Sequence, residues 1–181
     1  MAESNQMPRH SERGFTLMEL MIGVTIISIL AAAALVGYGR AVKKGRIAQA
    51  EAFLAEIAAK QELFESFNGA YLTSNALCPA SLGGGAQSVA MDVSACSLDW
   101  QTLGVNAPRN TWFQYGFIAG TPGGAACADP TGFAGACASI QPNTHWWVAV
   151  ARGDQDGDGV FSTMFTTSTM GGTVFMADEL E

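Results

Sequence analysis

Glu19 is the only charged side chain between Phe15 and Val36. A carboxylate inside such an apolar segment costs about 2.5–3.5 kcal/mol on insertion scales, so it usually has a functional partner. A cut after Gly14 would supply one, because Phe15 would then carry a free ammonium group four residues from Glu19. The residues therefore predict an ion pair between an N-terminal amine and a carboxylate in apolar surroundings. The alternative is a carboxylate near the helix start that snorkels to the interface and caps its own first turn.

A second group of acidic residues could bind a cation. Asp154, Asp156 and Asp158 stand at positions one, three and five of a calcium-loop pattern, and Val160 could offer its backbone carbonyl. Position twelve is Phe165 rather than a glutamate. Because Asp-Gly pairs also favour tight turns, a polar hairpin turn explains the same residues. Both interpretations stay open: a plain turn with no cofactor, or a turn that binds calcium.

No arrangement of side chains typical of catalysis is found in the sequence. His145 is the only histidine after His10, and no nucleophile accompanies it in a motif. No phosphate-binding P-loop pattern occurs either. We predict that the chain is not an enzyme, and we expect His145 at the surface or at the start of a strand.

The charge of the chain limits its partners. Its 181 residues carry a net charge of −7. An acidic chain without a large basic cluster argues against broad electrostatic binding of nucleic acid, so no specific nucleic-acid site is expected. Lys43, Lys44 and Arg46 form the only basic group after the first 14 residues, and their position just past the apolar segment is typical of an interfacial anchor.

Four cysteines follow the apolar segment: Cys78, Cys96, Cys127 and Cys137. An even number in a candidate exported domain predicts two disulfides, with four free thiols as the alternative. Three connectivities are possible, and our first choice is sequential pairing, Cys78–Cys96 and Cys127–Cys137, which closes short loops. No ligand-spaced cysteine or histidine pairs occur, so a zinc site is not expected.

The element that must position Glu19 is a helix. Phe15 to Val36 would form a helix about 33 Å long, enough to span a hydrocarbon core of about 30 Å. The preceding Arg9, His10 and Arg13 would hold the N-terminus in the cytoplasm. The alternative is an ordinary signal peptide with a cut at the alanines of residues 31–34, which would discard the segment. The charged residue in the apolar run and the continuation of the helical pattern past the alanines favour retention.

The helical pattern becomes amphipathic from Arg40 to Phe67. Apolar residues recur near helical spacing, interrupted by Gln61: Ile47, Ala50, Leu54, Ile57, Phe64 and Phe67. Asn68-Gly69 then supplies a stop signal. We expect one helix from Phe15 to Phe67 whose second half packs its apolar face on a sheet. Two helices divided at Gly37 to Gly39 are the alternative.

Strand patterns follow a loop-rich region at residues 70–110. They cover residues 112–119, 145–152, 160–167 and 173–176. In the first, Phe113, Tyr115 and Phe117 share one face and are expected in the core. The sequence thus predicts an α+β fold, with a long N-terminal helix on a small antiparallel sheet of three to four strands.

The residues from Gly14 to Ile22, Gly-Phe-Thr-Leu-Met-Glu-Leu-Met-Ile, resemble the class III signal sequence of type IV pilins, of the type IVa kind, and of the related type II secretion pseudopilins. The family's N-terminal pattern covers residues 9 to 67. The resemblance implies that a prepilin peptidase cuts after Gly14 and methylates the amine of Phe15. It also implies that Glu19 serves subunit assembly together with Phe15.

The resemblance further implies a subunit that waits in the inner membrane, single-pass with a cytoplasmic N-terminus. At an inner-membrane assembly platform it would polymerise with its own copies and other pilins into an extracellular pilus for motility, adhesion or DNA uptake. The expected organisation is a leader at 1–14, a transmembrane or filament-core segment at 15–36, an amphipathic half at 37–68 and a head at 69–181. A type II secretion pseudopilin is the first alternative, and a secreted calcium-binding domain with an ordinary signal peptide is a less favoured one.

Overall fold

The computed structural model describes residues 14–82, 87–124, 127, 137–138, 140, 143–155 and 157–177. The chain divides into two compact units, Met1–Ala41 and Val42–Glu181. One helix, α1, runs from Leu17 to Asn68 without a break. The prediction of a single helix is therefore confirmed, and Gly37 and Gly39 lie inside it.

The second half of α1 buries one face against the sheet. Its buried apolar side chains are Ile47, Ala50, Phe53, Leu54, Ile57 and Ala58. Phe64 packs on this core only in part, and Phe67 is 81% exposed, so the prediction that Phe67 continues the buried face is wrong. The reason is position: α1 ends one residue later, and Gly69 closes it with a positive φ of 71° and an N–H···O bond to Glu65.

The main sheet has five antiparallel strands, which are, in order across the sheet, β1 (Ser74–Cys78), β4 (Gln114–Gly120), β5 (Trp146–Gly153), β6 (Ser162–Thr167) and β7 (Phe175–Ala177). The α+β fold with a long helix on an antiparallel sheet is confirmed. The sheet has five strands, however, rather than the expected three to four. The addition is β1, which lies in the region assigned to loops and pairs with β4.

Shorter elements fill the region between β1 and β4. A separate two-stranded sheet joins β2 (Val89–Ala90) to β3 (Asn110–Thr111), and a short helix, α2, covers Leu98–Leu103. Trp100 of α2 is fully buried. This region is therefore part of the fold's core as well as a connection.

Aromatic side chains form the core between α1 and the sheet. Phe113, Tyr115 and Phe117 are all fully buried, as their alternation predicts. Phe53 of α1 meets Tyr115 edge to face at 4.7 Å between ring centroids, and Trp100 meets Phe117 in the same way at 4.7 Å. Such pairs add about 0.5–1.5 kcal/mol each beyond burial.

The opposite face of the sheet carries a second apolar cluster. Its buried members are Ile118, Trp146, Val148, Val150 and Phe165, with Cys127 and Ile140 packed against them. Because both faces of the sheet are covered, nearly all residues of β5 are apolar, and apolar and polar residues do not alternate along it.

Replacing Gly153 with alanine should lower the free energy of unfolding by about 1–3 kcal/mol through overpacking. A Cβ at this position would lie 2.5 Å from the carbonyl oxygen of Trp112 and 2.7 Å from the ring of Phe113. The measurement is urea denaturation followed by tryptophan fluorescence. Gly45→Ala is the matched control, because nothing lies within 4 Å of its Cβ position and alanine favours a helix by up to about 1 kcal/mol. Equal stability of the two variants would contradict the prediction.

Candidate functional site

The first turn of α1 is capped by the side chain of Thr16. The hydroxyl oxygen of Thr16 accepts the backbone N–H of Glu19 at 3.2 Å, and the Thr16 carbonyl accepts the N–H of Leu20 at 3.2 Å. Thr16 and Glu19 have the spacing of a capping box. The sequence carries a local signal for this cap, since Thr16 stands three residues before Glu19. Gly14 and Phe15 precede the helix and are exposed.

The first part of α1 exposes nearly all of its apolar surface. Phe15 and Leu17 are 82% and 83% exposed, and the large apolar side chains that follow through Leu35 remain more than half exposed wherever they are described. By length and composition this helix could cross a membrane, and none of the apolar window that meets this test is buried. Surface of this kind requires lipid or other helices to cover it.

Glu19 differs from the other polar side chains of this segment. The hydroxyl of Thr25 donates to the carbonyl of Met21 at 2.8 Å, and that of Ser28 donates to the carbonyl of Val24 at 2.7 Å. Such bonds to the preceding turn satisfy a hydroxyl within its own helix. In the described part of the chain, no hydrogen bond or ion pair reaches the carboxylate of Glu19. It is the group in this segment that still lacks a partner. The basic residues Arg9, His10 and Arg13 lie outside the described residues.

Two disulfides stabilise the larger unit. Cys78 pairs with Cys96 and Cys127 pairs with Cys137, with Cα–Cα distances of 5.7 Å and 5.6 Å. The sequential pairing is thus confirmed, and no cysteine is free. Cys78 is fully buried at the end of β1, so its disulfide joins the sheet to the segment before α2.

The acidic turn joins β5 to β6, and its carboxylates are used by the backbone. Asp154 accepts the N–H of Gly157 at 2.6 Å and that of Gly159 at 3.0 Å, one on each oxygen. Asp158 accepts the N–H of Val160 at 2.7 Å. These bonds account for both aspartates as parts of a turn. Asp156 lies outside the described residues, and the described residues contain no group of three or more metal-ligating side chains.

Replacing Asp154 with alanine should lower the melting temperature by a few degrees, because two backbone N–H groups lose their acceptor at about 1 kcal/mol each. If the turn alone explains these residues, the loss is the same with calcium as with a chelator. A loss seen only with calcium present would instead assign Asp154 to a metal site. Thermal denaturation of one preparation, divided between the two buffers, makes the comparison.

Arg46 has a role that the sequence did not reveal. Its guanidinium group lies over the ring of Trp112, 4.8 Å from the centroid, and donates to the carbonyl of Gln155 at 3.1 Å. It thereby joins α1 to the residues between β3 and β4 and to the acidic turn. His145 is half-buried directly before β5, as expected for the start of a strand.

Residues 9–35 match the family model described as the prokaryotic N-terminal methylation motif, the signature of type IV pilins and pseudopilins. No curated protein and no solved structure matches the chain. The match covers the segment that contains Gly14, Phe15 and Glu19. It supports the pilin or pseudopilin class, in which subunits are structural, are anchored in the membrane before assembly, and assemble with other pilins after a prepilin peptidase has acted.

Proposed function

We propose that the chain is a structural subunit of a type IV pilus, cut after Gly14 and methylated on the amine of Phe15. The observation that carries this proposal is the unpartnered carboxylate of Glu19 within the methylation motif, on a helix whose apolar surface is exposed. The subunit passes from the inner membrane to an extracellular filament that serves motility, adhesion or DNA uptake. ATPases on other chains supply the energy.

The cut creates the partner that Glu19 lacks. The new ammonium group of Phe15 lies beside the N-terminus of α1, where the helix dipole already places partial positive charge. The ammonium charge and the helix dipole repel each other, and a carboxylate nearby reduces this repulsion. In lipid, the desolvation of both charges also costs less free energy when they are paired. A membrane-held subunit is therefore attracted to a neighbour whose Phe15 amine meets its Glu19. The pair sets the axial register as the subunit enters the filament.

The hydrogen bonds at the start of α1 are compatible with a cut after Gly14. The cap uses Thr16 and the backbone of Glu19, both of which remain after a cut between Gly14 and Phe15. Processing therefore leaves the first turn of the helix intact. The exposed apolar surface is covered by lipid before assembly and by neighbouring helices afterwards.

A type II secretion pseudopilin is the second candidate, because the match over residues 9–35 supports both classes. The same match favours retention of the apolar segment over an ordinary signal peptide cut at residues 31–34. Extracellular filaments sheared from cells and analysed by mass spectrometry separate the two candidates. The chain is expected in those filaments if it is a pilus subunit, and only in the cell envelope if it is a pseudopilin.

Mass spectrometry of the mature N-terminus tests the proposal most directly. The expected N-terminal residue is N-methylated Phe15. A chain that begins near Ala34 would overturn the proposal in favour of an ordinary signal peptide. A Gly14→Val variant is the control: it should remain uncut, which shows that the observed start depends on this glycine.

A further inference from the structure

A groove with a volume of about 440 Å³ lies on the surface of the larger unit. One wall is a small-residue face of α1, and the other is the turn that follows β6. The residues that define it include Ala55, Ala59, Glu62, Trp147, Gly171 and Gly172. Both glycines have positive φ, and neither has a neighbour within 4 Å of its Cβ position, so the turn leaves the groove open.

A carboxylate is held in place at this groove. The indole N–H of Trp147 donates to Oε1 of Glu62 at 2.8 Å, and the hydroxyl of Tyr71 contacts both carboxylate oxygens at 3.3 and 3.4 Å. Trp147 is only 1% exposed, so it fixes the carboxylate from within the core, whereas Glu62 itself is exposed. An ionised carboxylate offers about four lone-pair sites, which leaves capacity for a further donor.

The surroundings of this carboxylate are negative. The pKa of Tyr71 is raised to about 12 by burial and then by the charge of Glu62, its hydrogen bond with Glu62 and the charge of Glu65. Between Glu62 and the end of α1, Leu63 is 51% exposed and Phe67 is 81% exposed. An oriented anion beside exposed apolar side chains is suited to a basic segment of another protein chain.

The chain itself contains a complementary segment. Its net charge is −7, yet Lys43, Lys44 and Arg46 concentrate positive charge at one place on α1. Lys44 is exposed. On one helix, Lys44 and Glu62 are separated by about 27 Å at 1.5 Å per residue, so they cannot meet within one copy.

We propose that the groove at Glu62 receives Lys44 from a second copy of this chain. The contact rests on the pilus function proposed above, and it implies an axial offset of about 27 Å between the two copies. A neighbouring copy displaced by that distance along the filament brings its basic segment to the Glu62 groove. The contact then adds a second charge pair, between residues of the amphipathic half of α1, to the one at Glu19.

Carbodiimide treatment of sheared filaments tests the contact, because it joins lysine and glutamate side chains that lie together. The expected product is an isopeptide bond between Lys44 and Glu62, which the 27 Å separation (about 18 residues at 1.5 Å) restricts to different copies. Glu56 and Lys60, one turn apart on α1, provide an intrachain control for the reagent. Filaments that contain the chain and give only the control product would overturn the contact and leave the proposed function standing. Absence of the chain from filaments would overturn both.

Variants that remove one charge or both charges of the pair measure how much the contact contributes to assembly. Glu62→Gln keeps an acceptor for Trp147 and Tyr71 but removes the charge, and Lys44→Gln removes the partner charge. Each should lower the ratio of filament to membrane-held protein by about two- to fivefold, and the double variant should lose no more than either single variant. Arg109→Gln, at an exposed cation outside the basic segment, is the control and should have no effect. The proposal would be overturned if the double variant lowered the ratio by the product of the two single effects, or if Arg109→Gln lowered it equally. An unchanged melting temperature of each variant excludes a folding defect.

Discussion

Glu19→Leu is expected to reduce incorporation into filaments by about tenfold or more, while cleavage after Gly14 and membrane insertion continue. Removing one member of a desolvated charge pair costs about 2–5 kcal/mol, much of it from the partner charge that remains unpaired. Each 1.4 kcal/mol is a factor of about ten in an equilibrium constant. Leucine also removes the cost of placing a carboxylate in lipid, so the membrane-held pool should be as large as in the unchanged chain.

The segment offers a matched control at Ser28. Its hydroxyl donates only within its own helix, to the carbonyl of Val24. Ser28→Ala therefore removes a polar group of the same apolar span without removing a partner for another chain, and it should assemble normally. Glu19→Gln, which keeps hydrogen bonding but not charge, should assemble almost as poorly as Glu19→Leu.

Co-expression with the unchanged chain gives the sharpest measurement. Mass spectrometry of peptides that contain the substituted residue reports the ratio of variant to unchanged copies, both in the membrane and in sheared filaments. The two ratios should differ by about tenfold for Glu19→Leu and be equal for Ser28→Ala. If Glu19→Leu copies enter filaments in proportion to their share of the membrane pool, the pairing role of Glu19 is wrong.

The features that the sequence predicted well are local ones. The motif around Gly14 and Glu19 is a run of adjacent residues, and the apolar segment is continuous. The alternation of Phe113, Tyr115 and Phe117 reports directly which face of a strand is buried, since successive side chains point to opposite sides. The disulfides follow the same logic, because both close short loops.

The features that the sequence did not predict depend on residues far apart in the chain. Strand β1, Ser74–Cys78, has no strong strand pattern and is held by pairing with β4 and by the disulfide to Cys96. Trp147 reaches Glu62 across 85 positions, and Arg46 reaches Gln155 across 109. Neither contact has a local signal, because each requires the sheet to be in place against α1 first.

Gln61→Met is expected to lower the free energy of unfolding of the larger unit by about 2–4 kcal/mol. The sequence placed this glutamine as an interruption of the apolar face, and the structure explains it. Gln61 is fully buried; its amide donates to the carbonyl of Leu72 at 2.8 Å and accepts the N–H of Leu72 at 3.0 Å. It replaces the strand partner that this stretch of backbone lacks, and so joins α1 to the segment that enters β1. Methionine fills similar space but leaves both backbone groups unpaired.

Urea denaturation followed by tryptophan fluorescence measures this effect cleanly, because all four tryptophans lie in the unit that contains Gln61. Gln101→Met is the matched control: the same change at an exposed position, where the amide makes only a 3.4 Å contact with the carbonyl of Ser94. It should change the free energy of unfolding by less than about 0.5 kcal/mol. An equal loss for both variants would show that the buried Gln61 contributes no more to the free energy of unfolding than an amide at the surface does. A gain in stability for Gln61→Met would show that an apolar residue suits this position better, as it does elsewhere on the buried face of α1.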